Sequence, residues 1–241
     1  MWNVLRLGAF FLVVPIFGNQ LVPARVRLVM TIVIALALTP VLPPAPELTA
    51  FHLGMLVPLM LEMLTALGLA FSALIFFQLF VVAGQFIGMQ MGLGFAAMVD
   101  PGNGIQVTVW SQFFLMLATL SFLALDAHLL LVQLLVEGYR LATVSADSLS
   151  MLAQGIVQLG GWMFKGGLLL AIPAVTALLI VNIAFGVMNR SAPQLNVFSL
   201  GFPFSLLFGL VVIWVLLFGW IDQFEGLLSE YMSIFHGLRG L

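Results

Sequence analysis

Long apolar runs without a charged residue follow one another along most of this chain. A helix that crosses a bilayer needs about 20 predominantly apolar residues, and several runs reach or approach that length. Pro40, Pro43, Pro44 and Pro46 end the second run in an extended connection. The runs cover residues 7–24, 28–46, 48–61, 63–99, 101–125, 148–164, 166–189 and 191–221. They predict an all-α integral membrane protein with about five to seven apolar helices and helical hairpins.

No linker-like stretch separates two folding units, so the sequence predicts a single membrane domain over residues 1–241. The first run has the outline of a signal peptide, because Arg6 precedes an apolar stretch. Pro15 interrupts that stretch, and no small-residue cleavage site follows it. We therefore expect it to be retained as the first membrane segment.

Composition supports the membrane class. Of 241 residues, 63% are hydrophobic and 7% are charged, and the mean hydropathy is +1.23. Soluble domains carry about 25% charged residues, so the apolar remainder must face lipid or apolar protein. The net charge of −2 argues against a nucleic-acid partner, because a phosphate backbone is bound by clustered Lys and Arg. The absence of cysteine excludes disulfides, thiolate metal sites and cysteine nucleophiles.

Sequence signatures of enzymes are missing. The chain contains no HExxH, no GxSxG and no phosphate-binding loop that ends in Gly-Lys. Asp126 and His128 are two residues apart, so on a helix they would not share a face. We expect no catalytic residue, no metal site and no cofactor, and we classify the chain as a non-enzyme.

Glu62 is an isolated carboxylate between apolar runs. An ionisable residue inside a membrane segment is costly and is a candidate functional site. Three interpretations compete: a proton relay, an ion pair with a basic residue of another chain, and a carboxylate at the membrane interface. We favour the inter-subunit pair, because a relay needs several such groups.

Small and polar residues recur before residue 93. Gly84, Gly88 and Gly92 are spaced every four residues, which allows two helix backbones to approach closely. Gln85 adds an amide that needs a partner in apolar surroundings. We therefore predict that this segment faces protein rather than lipid.

The next stretch, Asp100 to Gly104, reads Asp-Pro-Gly-Asn-Gly and predicts a turn. Irregular backbone at membrane depth is tolerated only where it is buried in protein or lines an aqueous cavity. One interpretation is a loop outside the membrane. The other is a loop that enters a pore, with Phe95 and Met98 as bulky apolar stoppers.

A second non-helical segment is predicted at Asn189–Asn196. Arg190 stands where a cation favours a helix C-terminus, and Pro193 prevents the helix from continuing.

Three stretches of the chain resemble the FliR family of flagellar biosynthesis and type III secretion export-gate proteins. They are PIFGNQLVPARVR at 15–27, GQFIGMQMGLGFAAMVDP at 84–101 and NRSAPQLNVFSLGFP at 189–203. The stretches lie in the family's order and spacing, and the likeness covers nearly the whole chain.

The resemblance implies one copy of this chain in a helical complex with FliP and FliQ, which forms the entrance of a secretion channel for unfolded flagellar proteins. FlhB and FlhA are further expected partners, and membrane lipid is another. The complex is expected in the bacterial inner membrane at the flagellar basal body, with part of it on the periplasmic side. The resemblance also implies that the loop after the glycine-rich helix contributes to a pore plug. Here that loop contains Phe95, Met98, Val99, Asp100 and Pro101.

The chain departs from the family's pattern at a few positions. Gln85 stands where relatives often have Glu, so an ion pair made there by relatives has no counterpart here. Met98 replaces an aromatic residue found in some relatives. Candidate inter-subunit polar contacts are Glu62, Gln85 and Arg190.

Two other functions remain open at this point. One is the equivalent subunit of a virulence secretion system. The other, from a different class, is a small multispan transporter with Glu62 as its coupling carboxylate.

Overall fold

The computed structural model describes residues 2–15, 17–18, 22–40, 56–94, 108–141, 146–191 and 197–237. Every regular element in this part of the chain is a helix, which confirms the all-α class. The helices described are α1 (Trp2–Val13), α2 (Ala24–Leu38), α3 (Leu56–Gln90), α4 (Val109–Ala124), α5 (Ala127–Leu141), α6 (Ala146–Ser191), α7 (Val197–Leu217) and α8 (Trp220–Gly237).

Two of the described helices are long and apolar enough to cross a bilayer. They are α3 and the Leu149–Met188 part of α6. The count rises to four if two broken helix pairs, α4 with α5 and α7 with α8, each form one span. The described part of the chain therefore holds two to four candidate spans.

Helix α3 joins the apolar runs 48–61 and 63–99, which the sequence predicts as separate segments. Pro58 is its third residue. The first four N–H groups of a helix have no acceptor within the helix, so a proline there costs no helical hydrogen bond. Glu62 lies one turn further on and does not interrupt the helix. A single charged residue interrupts an apolar run in the sequence, but it leaves the backbone hydrogen bonds of the helix intact.

Helix α6 is likewise continuous through Lys165, where two runs were expected. Asp147 lies in its first turn and Arg190 in its last, so both charges interact favourably with the helix dipole. Pro173 lies inside the helix and removes one N–H donor. With 46 residues, α6 is about 69 Å long at 1.5 Å per residue.

Two helix breaks have different local causes. One has a residue outside the right-handed α region, and the other has backbone hydrogen bonds that span three residues instead of four. Asp126 separates α4 from α5 and has a φ of 52°, a left-handed conformation that Asp tolerates better than most residues. Between α7 and α8, Phe218 and Gly219 donate to carbonyls three residues back. The axes of the two helices differ there by 67°.

The chain divides into two compact units. The first comprises residues 1–77, 122–161 and 231–241, and the second comprises residues 78–121 and 162–230. The prediction of one membrane domain over residues 1–241 stays a prediction.

The first unit has an aromatic core. Phe76 lies 5.2 Å from the Tyr231 ring and 6.1 Å from the Phe122 ring, measured between centroids. The Tyr231 hydroxyl lies 3.0 Å from Ser72 Oγ. Because Tyr231 is fully buried, this hydrogen bond satisfies a hydroxyl that would otherwise be costly to bury.

The second unit has a core of the same kind. Phe80 stacks on Phe224 with centroids 5.5 Å apart, and Trp220 lies 5.6 Å from Phe114. Trp220 Nε1 donates to Ser121 Oγ at 2.8 Å. Aromatic packing here is again combined with one internal hydrogen bond for the polar atom.

Candidate functional site

Helices α3 and α4 approach each other closely at two glycines. A Cβ at Gly84 would lie 2.6 Å from the backbone N and Cα of Ser111, and a Cβ at Gly88 would lie 2.6 Å from Thr108 Oγ1. Contacts under 3.0 Å essentially never occur for real Cβ atoms. Glycine at these two positions is therefore required for the first turn of α4 to rest on α3.

A hydrogen-bonded cluster closes this junction. The Thr108 backbone N–H donates to Gln85 Oε1 at 3.0 Å, and Thr108 Oγ1 donates to the carbonyl of Gly84 at 3.2 Å. Ser111 Oγ lies 3.2 Å from Gln85 Oε1 and 2.9 Å from the carbonyl of Val81. The amide expected to need a partner thus finds one across the helix pair. We call Gln85, Thr108 and Ser111 the polar clasp.

Thr108 also caps α4. It precedes the first helical residue, and its Oγ1 accepts from the backbone N–H of Ser111 at 3.3 Å. This is the N-cap arrangement, in which a hydroxyl satisfies an N–H that has no helical acceptor. One threonine therefore begins α4 and binds it to α3.

Gly92 ends α3 rather than packing inside it. Its φ is +85°, a conformation that glycine adopts without strain. The Leu93 N–H donates to the carbonyl of Gly88 and the Gly92 N–H to that of Met89, both at 3.0 Å. These two bonds form a Schellman motif. Gly92 therefore ends the helix, whereas Gly84 and Gly88 allow close helix packing.

A second set of hydrogen bonds holds the end of α3. Asn182 Nδ2 donates to the carbonyl of Gln90 at 3.1 Å, and Ser205 Oγ donates to Asn182 Oδ1 at 2.8 Å. Asn182 belongs to α6 and Ser205 to α7. Three helices of the second unit are therefore tied together at the point where α3 ends.

The predicted plug residues Phe95, Met98, Val99, Asp100 and Pro101 lie outside the described residues, and their role stays a prediction. What the structure gives is the geometry of the two flanks. The chain leaves α3 by the Schellman motif and re-enters a helix at Thr108. Because Thr108 packs on Gly88, the chain re-enters a helix beside the last turn of α3.

Glu62 has an ion-pair partner within the chain. Arg6 Nη2 donates to Glu62 Oε1, and the two residues are 8% and 7% exposed. The pair joins α1 to α3 inside the first unit. Glu62 Oε2 is buried and has no hydrogen-bond partner among the described residues. The inter-subunit contact predicted for Glu62 stays a prediction, and any such contact must share the carboxylate with Arg6.

The two other candidate inter-subunit residues have different surroundings. Gln85 uses Oε1 inside the polar clasp. Arg190 is exposed in the last turn of α6. Their contacts with other subunits stay predictions.

The sequence did not predict Arg6 as the partner of Glu62, Thr108 as the partner of Gln85, or the bond from Asn182 to the end of α3. Thr108 carried a signal, because it directly precedes an apolar run and Thr is a preferred N-cap. Asn182 carried one too, because an amide inside an apolar helix needs a bonded partner. Arg6 and Glu62 are 56 positions apart, and nothing local connects them.

Comparison with known proteins identifies the family. The sequence model of a family described as bacterial export proteins, family 1, matches residues 1–231. The chain belongs to this family. Three flagellar biosynthetic proteins FliR are similar to it. That of Escherichia coli K12 is 36% identical over 87% of this chain and 80% of its own length. That of Pectobacterium carotovorum is 34% identical over 90% and 83%, and that of Bacillus subtilis 168 is 31% identical over 84% and 79%.

Membership of the FliR family confirms the resemblance drawn from the three sequence stretches. With its apolar helices, the chain is an inner-membrane protein of the flagellar export family. The names of the three relatives describe biosynthesis of the flagellum and state no enzymatic activity. Among the described residues of this FliR-family chain, no group of three His, Cys, Asp or Glu side chains could hold a metal ion.

We expect Arg6→Met to destabilise the protein by about 3–5 kcal/mol, because it leaves a buried carboxylate without its counter-ion. Glu62→Met should act in the same direction. The double variant Arg6→Met/Glu62→Met should recover most of the loss, since an apolar pair of similar volume often replaces a buried ion pair without cost. Thermal unfolding in detergent, followed by circular dichroism, measures the four proteins. Arg190→Met is the matched control, and single variants no less stable than the double variant would contradict the assignment.

We expect Thr108→Val to cost about 1–2 kcal/mol, because the substitution keeps the shape but removes the cap. The loss should be local and should raise amide hydrogen exchange in the first turn of α4. Thr176→Val is the control, since the hydroxyl of this exposed residue bonds only to carbonyls of its own helix. Equal exchange at the α4 N-terminus in both variants would show that Thr108 does not fix this junction.

Proposed function

We propose that this chain is a structural and gating subunit of the flagellar type III protein-export gate. In this role it assembles with FliP and FliQ into the entrance pore for unfolded flagellar proteins. Family membership supports the export function, and the partners are carried over from the family resemblance. FlhB and FlhA are further proposed partners.

The surface of α6 supports assembly with other apolar chains. In the apolar 18-residue stretch within Leu149–Met188 of α6, 17% of the residues are buried, whereas 61% are buried in the corresponding stretch of α3. Large apolar residues are exposed at a helical spacing along α6, namely Val157, Phe164, Leu168, Ile172, Leu179, Ile183 and Val187. A length of about 69 Å at 1.5 Å per residue is more than twice the hydrocarbon thickness of a bilayer, about 30 Å. Lipid alone does not cover this face, and apolar helices of other subunits would cover the remainder.

The proposed mechanism is physical rather than catalytic. Phe95 and Met98 would fill the closed pore, and Val99, Asp100 and Pro101 would shape the loop that carries them. The polar clasp and the Schellman motif support this proposal, because the Schellman motif ends the helix before the loop and the polar clasp fixes the start of the helix after it. An unfolded chain would displace the apolar side chains while the helices at the base of the loop stay paired.

The transporter alternative has less support. Its coupling carboxylate, Glu62, forms an ion pair with Arg6. This pair joins α3 to α1, which gives Glu62 a structural role. The virulence-system alternative also has less support, since the three relatives reported above all carry flagellar names.

Co-expression of the tagged chain with FliP and FliQ of the same organism tests the proposed assembly. We expect native mass spectrometry to show a discrete complex that contains a single copy of this chain, because its exposed apolar surface requires partners. A stable monomer or homo-oligomer without FliP and FliQ would contradict the proposal.

The plug makes a separate prediction. Replacing Phe95 and Met98 by Gly should raise ion leakage through the assembled complex, because bulky apolar side chains would no longer exclude water. Leakage is measured as voltage-driven ion flux in liposomes that contain the purified complex. Phe218→Gly is the control, since Phe218 is 75% exposed and lies outside a helix between α7 and α8. Unchanged leakage in an assembled Phe95→Gly/Met98→Gly complex would remove these residues from the plug.

A further inference from the structure

Helix α3 keeps one face partly open between α4 and α6. Toward α4, Ser111 Oγ lies 2.9 Å from the carbonyl of Val81. Toward α6, a Cβ at Gly167 would lie 2.9 Å from the carbonyl of Leu79. The side chains on the face between these contacts are uncharged and half-buried or exposed; they are Gln78, Val81, Val82, Gln85, Phe86 and Met89. We call this set the open face of α3.

Two glutamines lie along the middle of the open face. Gln78 and Gln85 are seven residues apart, which is close to two helical turns and places both on one line along the helix. Met89 follows one turn after Gln85 and is 58% exposed. A helix that packs along this line therefore meets an amide at every second turn, with apolar side chains beside it.

The polar clasp fixes which end of the Gln85 amide points outward. The Thr108 backbone N–H can only donate, so the amide atom that it contacts at 3.0 Å is the oxygen Oε1. The Ser111 hydroxyl lies 3.2 Å from the same oxygen. Nε2, on the other branch of the planar amide, reaches the surface and donates to no residue that the structure describes. Gln85 thus presents two N–H donors outward and keeps its acceptor inside.

Gln78 is a second amide without an internal bond. Its side chain is half-buried and forms no hydrogen bond with any residue in the described part of the chain. The apolar run 63–99 around it carries no charge. A polar group in apolar surroundings is costly until it is bonded, and polar side chains of apolar helices commonly bond across helix interfaces. Both amides therefore favour a partner that carries polar atoms of its own.

The outward donors of Gln85 determine what that partner must carry. Lipid acyl chains have no hydrogen-bond acceptor, so they would leave both N–H groups unbonded. Lys and Arg side chains carry only donors, so they would oppose N–H groups with N–H groups. A helix with a carboxylate, amide or hydroxyl oxygen opposite Gln85 supplies the acceptor, while its apolar side chains cover Val82 and Met89.

We propose that the open face of α3 docks one apolar helix of another subunit, which places a side-chain oxygen at Gln85 Nε2. Gln78, one heptad away, would bond a second polar group of the same helix and fix its register, as a buried amide does in coiled coils. This inference rests on the proposed function, because the docked helix belongs to a subunit of the export gate. It adds the chemistry of the contact, with the donor on this chain and the acceptor on the partner.

Gln85→Glu separates docking from folding. A carboxylate keeps an oxygen for Thr108 and Ser111 but has no N–H to offer. Amide hydrogen exchange at the first turn of α4 should therefore stay unchanged in the purified full chain. In co-expression with FliP and FliQ, native mass spectrometry should show about tenfold less assembled complex, as expected when a buried acceptor loses its donor.

Two further variants are the controls. Gln223→Glu makes the same chemical change on the exposed, polar face of α8, and it should leave assembly unchanged. Gln85→Met removes both ends of the amide. It should lower assembly as well, but it should also raise hydrogen exchange at the first turn of α4, because Thr108 loses its acceptor.

A photo-reactive phenylalanine analogue in place of Met89 tests the contact directly. We expect it to cross-link to FliP or FliQ in the assembled complex, because Met89 lies one turn from Gln85 on the open face. Cross-linking to lipid alone, or normal assembly of Gln85→Glu, would overturn the docking proposal and leave the gate function standing. Failure of the unmodified chain to assemble with FliP and FliQ would overturn both.

Discussion

The close approach of α4 to α3 at Gly84 and Gly88 is the constraint on which the second unit depends; it is made by the backbone of Trp110 and Ser111 at Gly84 and by the side chain of Thr108 at Gly88. Only the absence of a Cβ lets α4 rest on α3 at this distance. Once the two helices are this close, Gln85, Thr108 and Ser111 reach one another, and the hydroxyl of Thr108 can cap α4 and bond to α3 at once. Thr108, the first described residue after Gly94, lies at this junction for the same reason.

Polar residues are scarce in this chain, and the buried polar side chains form specific hydrogen bonds and ion pairs between helices. In apolar surroundings an unbonded donor or acceptor is expensive, so internal hydrogen bonds determine which helices can pair. Ser72 with Tyr231 and Arg6 with Glu62 act in the first unit. Asn182 with Ser205 acts in the second. Apolar packing supplies most of the stabilisation, but it is non-directional, and these few bonds select one arrangement.

The length of α6 connects the fold to its surroundings. A helix of 46 residues with little of its apolar span buried exceeds what a bilayer covers. A helix of this length needs apolar protein as well as lipid around it, which is consistent with a chain that functions inside an assembly.

The sequence by itself determined the helical class, the membrane character and the family, because these follow from apolar run length, missing charge and three extended motifs. It also identified Gly84, Gly88, Gln85 and Glu62 as residues under constraint. It did not determine their partners. Arg6 and Glu62 are 56 positions apart, and Asn182 lies 92 positions from the carbonyl of Gln90, so no local pattern joins them. The sequence also placed breaks at single charges such as Lys165, where the helix continues, because backbone hydrogen bonds persist through a charged residue. Only the tertiary structure could decide these pairings, since it alone brings distant apolar helices to hydrogen-bonding distance.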